Sequence, residues 1–153
     1  MTKLVVTNDE FLASAAGMER ALITPCLVGE LEFWIAEVVQ ATENMAQLLR
    51  VTSRDQIPDI LEEIRNEDPE LLQKVDEIEQ EEQQLLNHFH RYWKEVRRIS
   101  RSMGTAEAEI AFRMTVPLVV DLGLKFVVEA RKLQASTLTL LLESIYRDRG
   151  VVD

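Results

Sequence analysis

Apolar positions spaced by three and four residues run through most of this chain, and the polar residues between them divide it into helical stretches. The clearest stretch spans Asp68 to Met103, where Leu71, Val75, Ile78, Leu85, Phe89, Trp93, Val96 and Ile99 mark one helix face. Glu82 occupies the slot between Ile78 and Leu85. The register therefore places one ionisable group in an apolar seam, where a carboxylate must be paired, metal-bound or protonated. A second face runs from Pro25 to Arg50 through Leu27, Leu31, Trp34, Val38, Ala41, Met45 and Leu48, widened by Val28, Ile35, Val39 and Leu49. That breadth suits a bundle core better than a narrow two-stranded seam.

Helix starts are legible from residues that satisfy the orphan N–H groups of a first turn. Thr7 and Glu10 form a capping box for a short helix reaching about Leu22. Thr24-Pro25 and Asp68-Pro69 each offer a cap followed by proline at the first helical position. Ser53 with Gln56 opens a small helix around Pro58 to Asn66, and Gly104-Thr105 closes one helix and caps the next. At 1.5 Å per residue the helix from Pro25 is about 39 Å long and that from Pro69 about 51 Å, whereas an unbroken Thr105–Arg147 helix would reach about 64 Å and overhang both. A kink is predicted between Pro117 and Gly123, with the pattern resuming from Phe126 to Tyr146.

These elements predict a single all-α domain over residues 1–153. It is an up-and-down helical bundle of three long helices plus short helices near 8–22 and 55–66. The third long helix is kinked or split near Pro117–Gly123, giving a core like that of a four-helix bundle.

Composition agrees and narrows the function. The 153 residues are 46% hydrophobic but only 6% aromatic, with 5 Gly and 4 Pro, which suits a helical chain able to bury a core. A formal charge of −10 makes the protein acidic and would repel a phosphate backbone, so no nucleic-acid partner is expected. The most apolar window, Val116–Val128, is interrupted by Pro117, Asp121, Gly123 and Lys125, far short of the roughly 20 apolar residues of a membrane span. No membrane partner is expected either. The first ten residues do not read as a secretory signal, and a single cysteine, Cys26, allows no disulfide framework. A reducing, cytoplasmic setting follows.

Candidate chemistry is sparse. Glu32 lies on the Val28, Ile35, Val39 edge of its helix, Glu82 in its seam, and Asp121 within the apolar window. Each is a candidate ligand or acid–base group, or else a boundary residue or ion-pair member, as Asp121 one turn from Lys125 suggests. His88 flanks Phe89, and His90 points about 200° away from it, so the two histidines cannot share a site. Cys26 stands between Pro25 and Leu27, either as a thiol activated at a helix start or as an inert, buried one. Arg97-Arg98-Ile99-Ser100 matches a basic-directed kinase pattern, although the arginines also suit a helix C-terminus. Glycine-rich phosphate loops, the Gly-x-Ser-x-Gly elbow and His-Glu-x-x-His do not occur.

The rhythm of Glu30-Leu31-Glu32-Phe33-Trp34 and of Glu79 to Leu85 resembles that of a hemerythrin-type bundle. Where that family carries His and His-x-x-x-Glu ligands, this chain has glutamates and aliphatic residues, so neither oxygen binding nor a di-iron centre carries over. Ferritin-like di-iron bundles use Glu-x-x-His on two helices, and this chain has no such motif.

The leading expectation is a non-enzymatic helical interaction or assembly module, with no catalytic or cofactor-binding residues and no stoichiometric metal. It would act as a homodimer, with a second copy or another protein as partner. The alternative is a carboxylate-rich metal-binding or redox bundle holding a transition metal ion through Glu32, Glu82, His88 and Asp121.

Overall fold

A computed structural model of the chain describes residues 6–150. Helix α1 (Asn8–Ile23) leads to α2 (Leu31–Val51), which passes through a π-helical segment (Thr52–Gln56) into α3 (Ile57–Glu67). A 3₁₀ turn (Pro69–Leu71) precedes α4 (Leu72–Ser102), followed by α5 (Ala106–Arg113) and α6 (Val116–Gly150). The described residues contain no strand. Helices α1, α2, α4 and α6 form an up-and-down ring in which each packs on its two neighbours, and the α4–α6 contact is the most extensive. Helix α3 packs on α4 and α6.

Two rows of residues at seven-residue spacing explain how α4 enters this core. Leu71, Ile78, Leu85, Tyr92 and Ile99 are all buried, and beside them run Val75, Glu82, Phe89 and Val96, of which Glu82 and Phe89 are half-buried. Tyr92 thus takes the central place that the three-four count assigned to Trp93, which is half-buried. The rings of Phe89 and Phe126 lie 5.0 Å apart and join α4 to α6.

Several predicted helix boundaries hold. The Thr7–Glu10 capping box is present, with Glu10 N–H donating to the Thr7 hydroxyl and the Thr7 N–H to the Glu10 carboxylate. Gly104 adopts φ +135° at the α4–α5 corner, and the Thr105 hydroxyl accepts from the Ala108 N–H. Asp68 leaves helical geometry before Pro69, as the proline ring requires, but it does not cap a helix as expected: its carboxylate accepts from Ser144, and Pro69 opens a 3₁₀ turn ahead of α4.

Other boundaries differ for identifiable reasons. Pro25 does not open a helix; it follows the C-cap of α1, Thr24, a position proline favours equally because it cannot continue the helix. Residues 25–30 form a loop that turns at Gly29, whose φ of +83° favours glycine. Leu27 and Val28 consequently leave the α2 core face and stand exposed. Ser53 caps nothing, because α2 continues into α3 through the π segment.

The break expected at Pro117–Gly123 falls instead at Met114-Thr115. Pro117 sits in the first turn of α6, where no N–H is needed, so it bends nothing. Gly123 serves packing: a Cβ there would lie 2.5 Å from Leu22 Cδ1 and 3.3 Å from Tyr92 Cζ, so its absence lets α6 approach α1 and α4 closely.

Candidate functional site

The four candidate ligands are distributed rather than convergent. Glu32 is exposed in the first turn of α2, and Asp121 is exposed on α6, 3.6 Å from Lys125 in the ion pair that their spacing suggests. His88 is exposed on α4, with its Nδ1 2.5 Å from Glu129 Oε2 on α6. Among the described residues, no three His, Cys, Asp or Glu side chains come together as a group that could hold a metal ion. Glu32 and Asp121 stand off the buried faces of their helices, which run through Leu31, Trp34, Ile35 and Val38 on α2 and through Val119, Phe126 and Val127 on α6.

Glu82 remains the most perturbed of the candidates. Its carboxyl is pushed up to about 7, chiefly by burial and in smaller part by the nearby Glu79 charge. The Ser53 hydroxyl, buried in the π segment without a hydrogen-bond partner of ordinary geometry, offsets part of the rise. Glu82 is thus a half-neutral acid near pH 7 at the edge of a seam, facing an unreactive alcohol. The arrangement supports proton uptake.

The other polar groups of the interior are absorbed by the fold. The buried Thr42 hydroxyl donates to the Val38 carbonyl at 2.7 Å, so it can only accept from the Tyr92 hydroxyl, 2.9 Å away. Burial holds the Tyr92 phenol well above its ordinary value. The Gln56 amide both accepts from the Val6 N–H at 2.9 Å and donates to the Val6 carbonyl at 3.2 Å, pinning the segment ahead of α1 to the π segment. The Ser144 hydroxyl donates to the Asp68 carboxylate. Burial raises the Cys26 thiol despite the opposing influence of Arg113, which argues against an activated nucleophile.

What the interior lacks in chemistry, the surface shows in pattern. At one end of the bundle the 25–30 loop is stitched to α5: the Arg113 guanidinium donates to the Cys26 and Leu27 carbonyls at 3.0 and 3.3 Å, and the Gly29 N–H donates to Glu109 at 2.7 Å. These bonds hold Leu27, Val28, Ile110 and Met114 outward as a tip, each between 58 and 87% exposed. The last turns of α4 meet α5 at Phe112, with the Arg98 guanidinium 5.7 Å from the centre of its ring. His90, Lys94, Arg97, Arg98 and Arg101 line a shallow basic concavity of about 480 Å³ there.

A second pattern follows α6. Val128, Leu142 and Tyr146 are 53 to 69% exposed, and at about 100° per residue they fall within one narrow stripe together with Ala135 and Thr139. The sequence pattern alone missed the tip, because Leu27 and Val28 were counted into a helix core. The signal available was Gly29, which follows them directly and marks a turn.

Described helices include none long and apolar enough to cross a membrane. Compared with protein-family models, curated proteins and solved structures, the chain matches none.

Proposed function

We propose that the protein is a non-enzymatic helical interaction module that works as a homodimer, with α6 providing the self-association face. The observation that carries this reading is the α6 stripe: Val128, Leu142 and Tyr146 share one line along the bundle's longest helix and are left exposed. A two-fold axis across such a stripe would set the same residues of two copies against each other, the commonest way a soluble protein covers a surplus apolar face. The buried Thr42–Tyr92 and Gln56–Val6 bonds support the same reading, since they tie the elements of the bundle to one another. Light scattering across micromolar concentrations tests it. The expected mass is twice the 17.6 kDa of one chain; a mass of one chain throughout that range would contradict the dimer.

A further inference from the structure

The exposed stripe on α6 reads alike in both directions. Val128, Ala135 and Leu142 follow one another at seven-residue intervals, so the small Ala135 stands midway between two exposed apolar side chains. Leu124 and Tyr146 lie eleven residues before and after Ala135, both within about 40° of the same line. Turned end over end about Ala135, the stripe keeps its order of large, small and large side chains.

The two flanks of the stripe differ in charge. Within about 60° of it on the side of α4 stand Lys125, Lys132 and Glu143. Lys132 and Ala135 share a groove of about 420 Å³ with Glu81 and Gln84 of α4, and Lys74 of α4 reaches Glu143 at 2.7 Å. Glu77 and Glu81 therefore lie beside the middle of the stripe. Neither Lys132 nor Glu81 has an ion-pair partner among the described residues. On the side of α1, Arg131 is held by Glu19 at 2.6 Å.

We propose that two copies pair through α6 in one antiparallel register centred on Ala135, with Val128 of each chain against the partner's Leu142 and Leu124 against the partner's Tyr146. The proposal rests on the reading of α6 as the self-association face and specifies how a second copy is recognised there. Small side chains at the crossing let the two helix axes come within about 8 Å. A two-fold axis at that point sets the α4 flank of one copy beside the α4 flank of the other. At 1.5 Å per residue, Lys125 lies about 15 Å from the crossing and the partner's Glu143 about 12 Å from it in the same direction, so the two face each other. Lys132 of each copy meets the partner's Glu77 and Glu81, which gives the unpaired lysine its carboxylates. A parallel pair fits less well. It would set the α4 flank of one copy beside the α1 flank of the other and bring Lys132 level with the partner's Arg131, two cations together.

The test places single cysteines on the full chain in a Cys26→Ser background. On mild oxidation Ala135→Cys should link to itself, and an equal mixture of Val128→Cys and Leu142→Cys should give a mixed dimer while neither links alone. A disulfide needs Cα atoms within about 7 Å, and the two Val128 positions of the antiparallel pair are about 21 Å apart. Lys132→Glu should weaken dimerisation about tenfold in sedimentation, and Lys132→Glu/Glu81→Lys should recover most of it. Helical content by circular dichroism should match throughout, since Glu81, Val128, Lys132, Ala135 and Leu142 are all exposed. Self-linking of Val128→Cys or Leu142→Cys, or no cross-link at all in a protein that sediments as a dimer, would overturn this register and leave the dimer standing. Unchanged affinity in Lys132→Glu would do the same. Sedimentation as a single chain, the result expected if a different protein covers α6, would defeat both this register and the dimer on which it rests.

Discussion

Glu82 shows what a single seam position can and cannot reveal. Its seven-residue spacing from Val75 and Phe89 was visible in the sequence, and so was its conflict with the apolar neighbours. The degree of burial was not, because it depends on whether the row faces the bundle axis or its edge, and the half-buried Phe89 shows that it faces the edge. The consequence is a pH dependence of definite sign. The folded-state value of about 7 lies above the ordinary 4.5, so the contribution of this group to stability is whole below about pH 4.5 and is lost as pH rises through about 7. Allowing for the solvent that reaches a half-buried carboxyl, the loss is about 1–2 kcal/mol. Glu82→Gln should therefore raise stability by about that amount at pH 8 and leave it nearly unchanged at pH 4; urea melts at the two pH values check this. Equal effects at both would show that the carboxyl is solvated.

The Tyr92–Thr42 pair belongs to the same scale. Thr42→Val removes the acceptor of the buried Tyr92 hydroxyl and should cost about 1–3 kcal/mol. Adding Tyr92→Phe should recover part of that loss, because no orphan hydroxyl is then left inside. A double-mutant cycle in chemical denaturation measures the coupling, and additive losses would deny the bond.

Among the elements, the sequence was most informative where a boundary depends on local chemistry and least where it depends on packing. The capping box at Thr7 and the Gly104-Thr105 corner are short-range events, settled by a side chain and its own next turn. The π segment is different. It carries α2 into α3 with Gln56 buried, and it aims Gln56 at Val6, 50 residues away in sequence. Gln56→Ala should release that tie, seen as faster amide exchange at the start of α1 while α4 and α6 keep their protection. Uniform loss of protection across all helices would instead mark the π segment as part of the global unfolding unit. At the α1–α4–α6 crossing, Gly123→Val should destabilise by about 2 kcal/mol or more by thermal melting, since a branched side chain must displace Leu22 or Tyr92. A neutral result would mean that α6 does not approach as closely as the structure has it.

At the scale of the molecule, helical content, helix order and bundle architecture were readable because periodicity and short connections constrain them strongly. The candidate site was not. Glu32, His88 and Asp121 were placed on helices correctly, but which way each points depends on where its helix begins and how it is rotated, and both are set by partners distant in sequence. The surfaces emerge only when exposure is known, as Val128 and Leu142 look in sequence like the core residues Val127 and Leu140. The central claim, that α6 holds two copies together through its exposed stripe, is tested most directly by sedimentation velocity on paired variants. Leu142→Glu should sediment as a single chain and Met114→Glu as a dimer. If Leu142→Glu stays dimeric while remaining folded, or the wild type is itself monomeric, α6 is not the association face and the account fails.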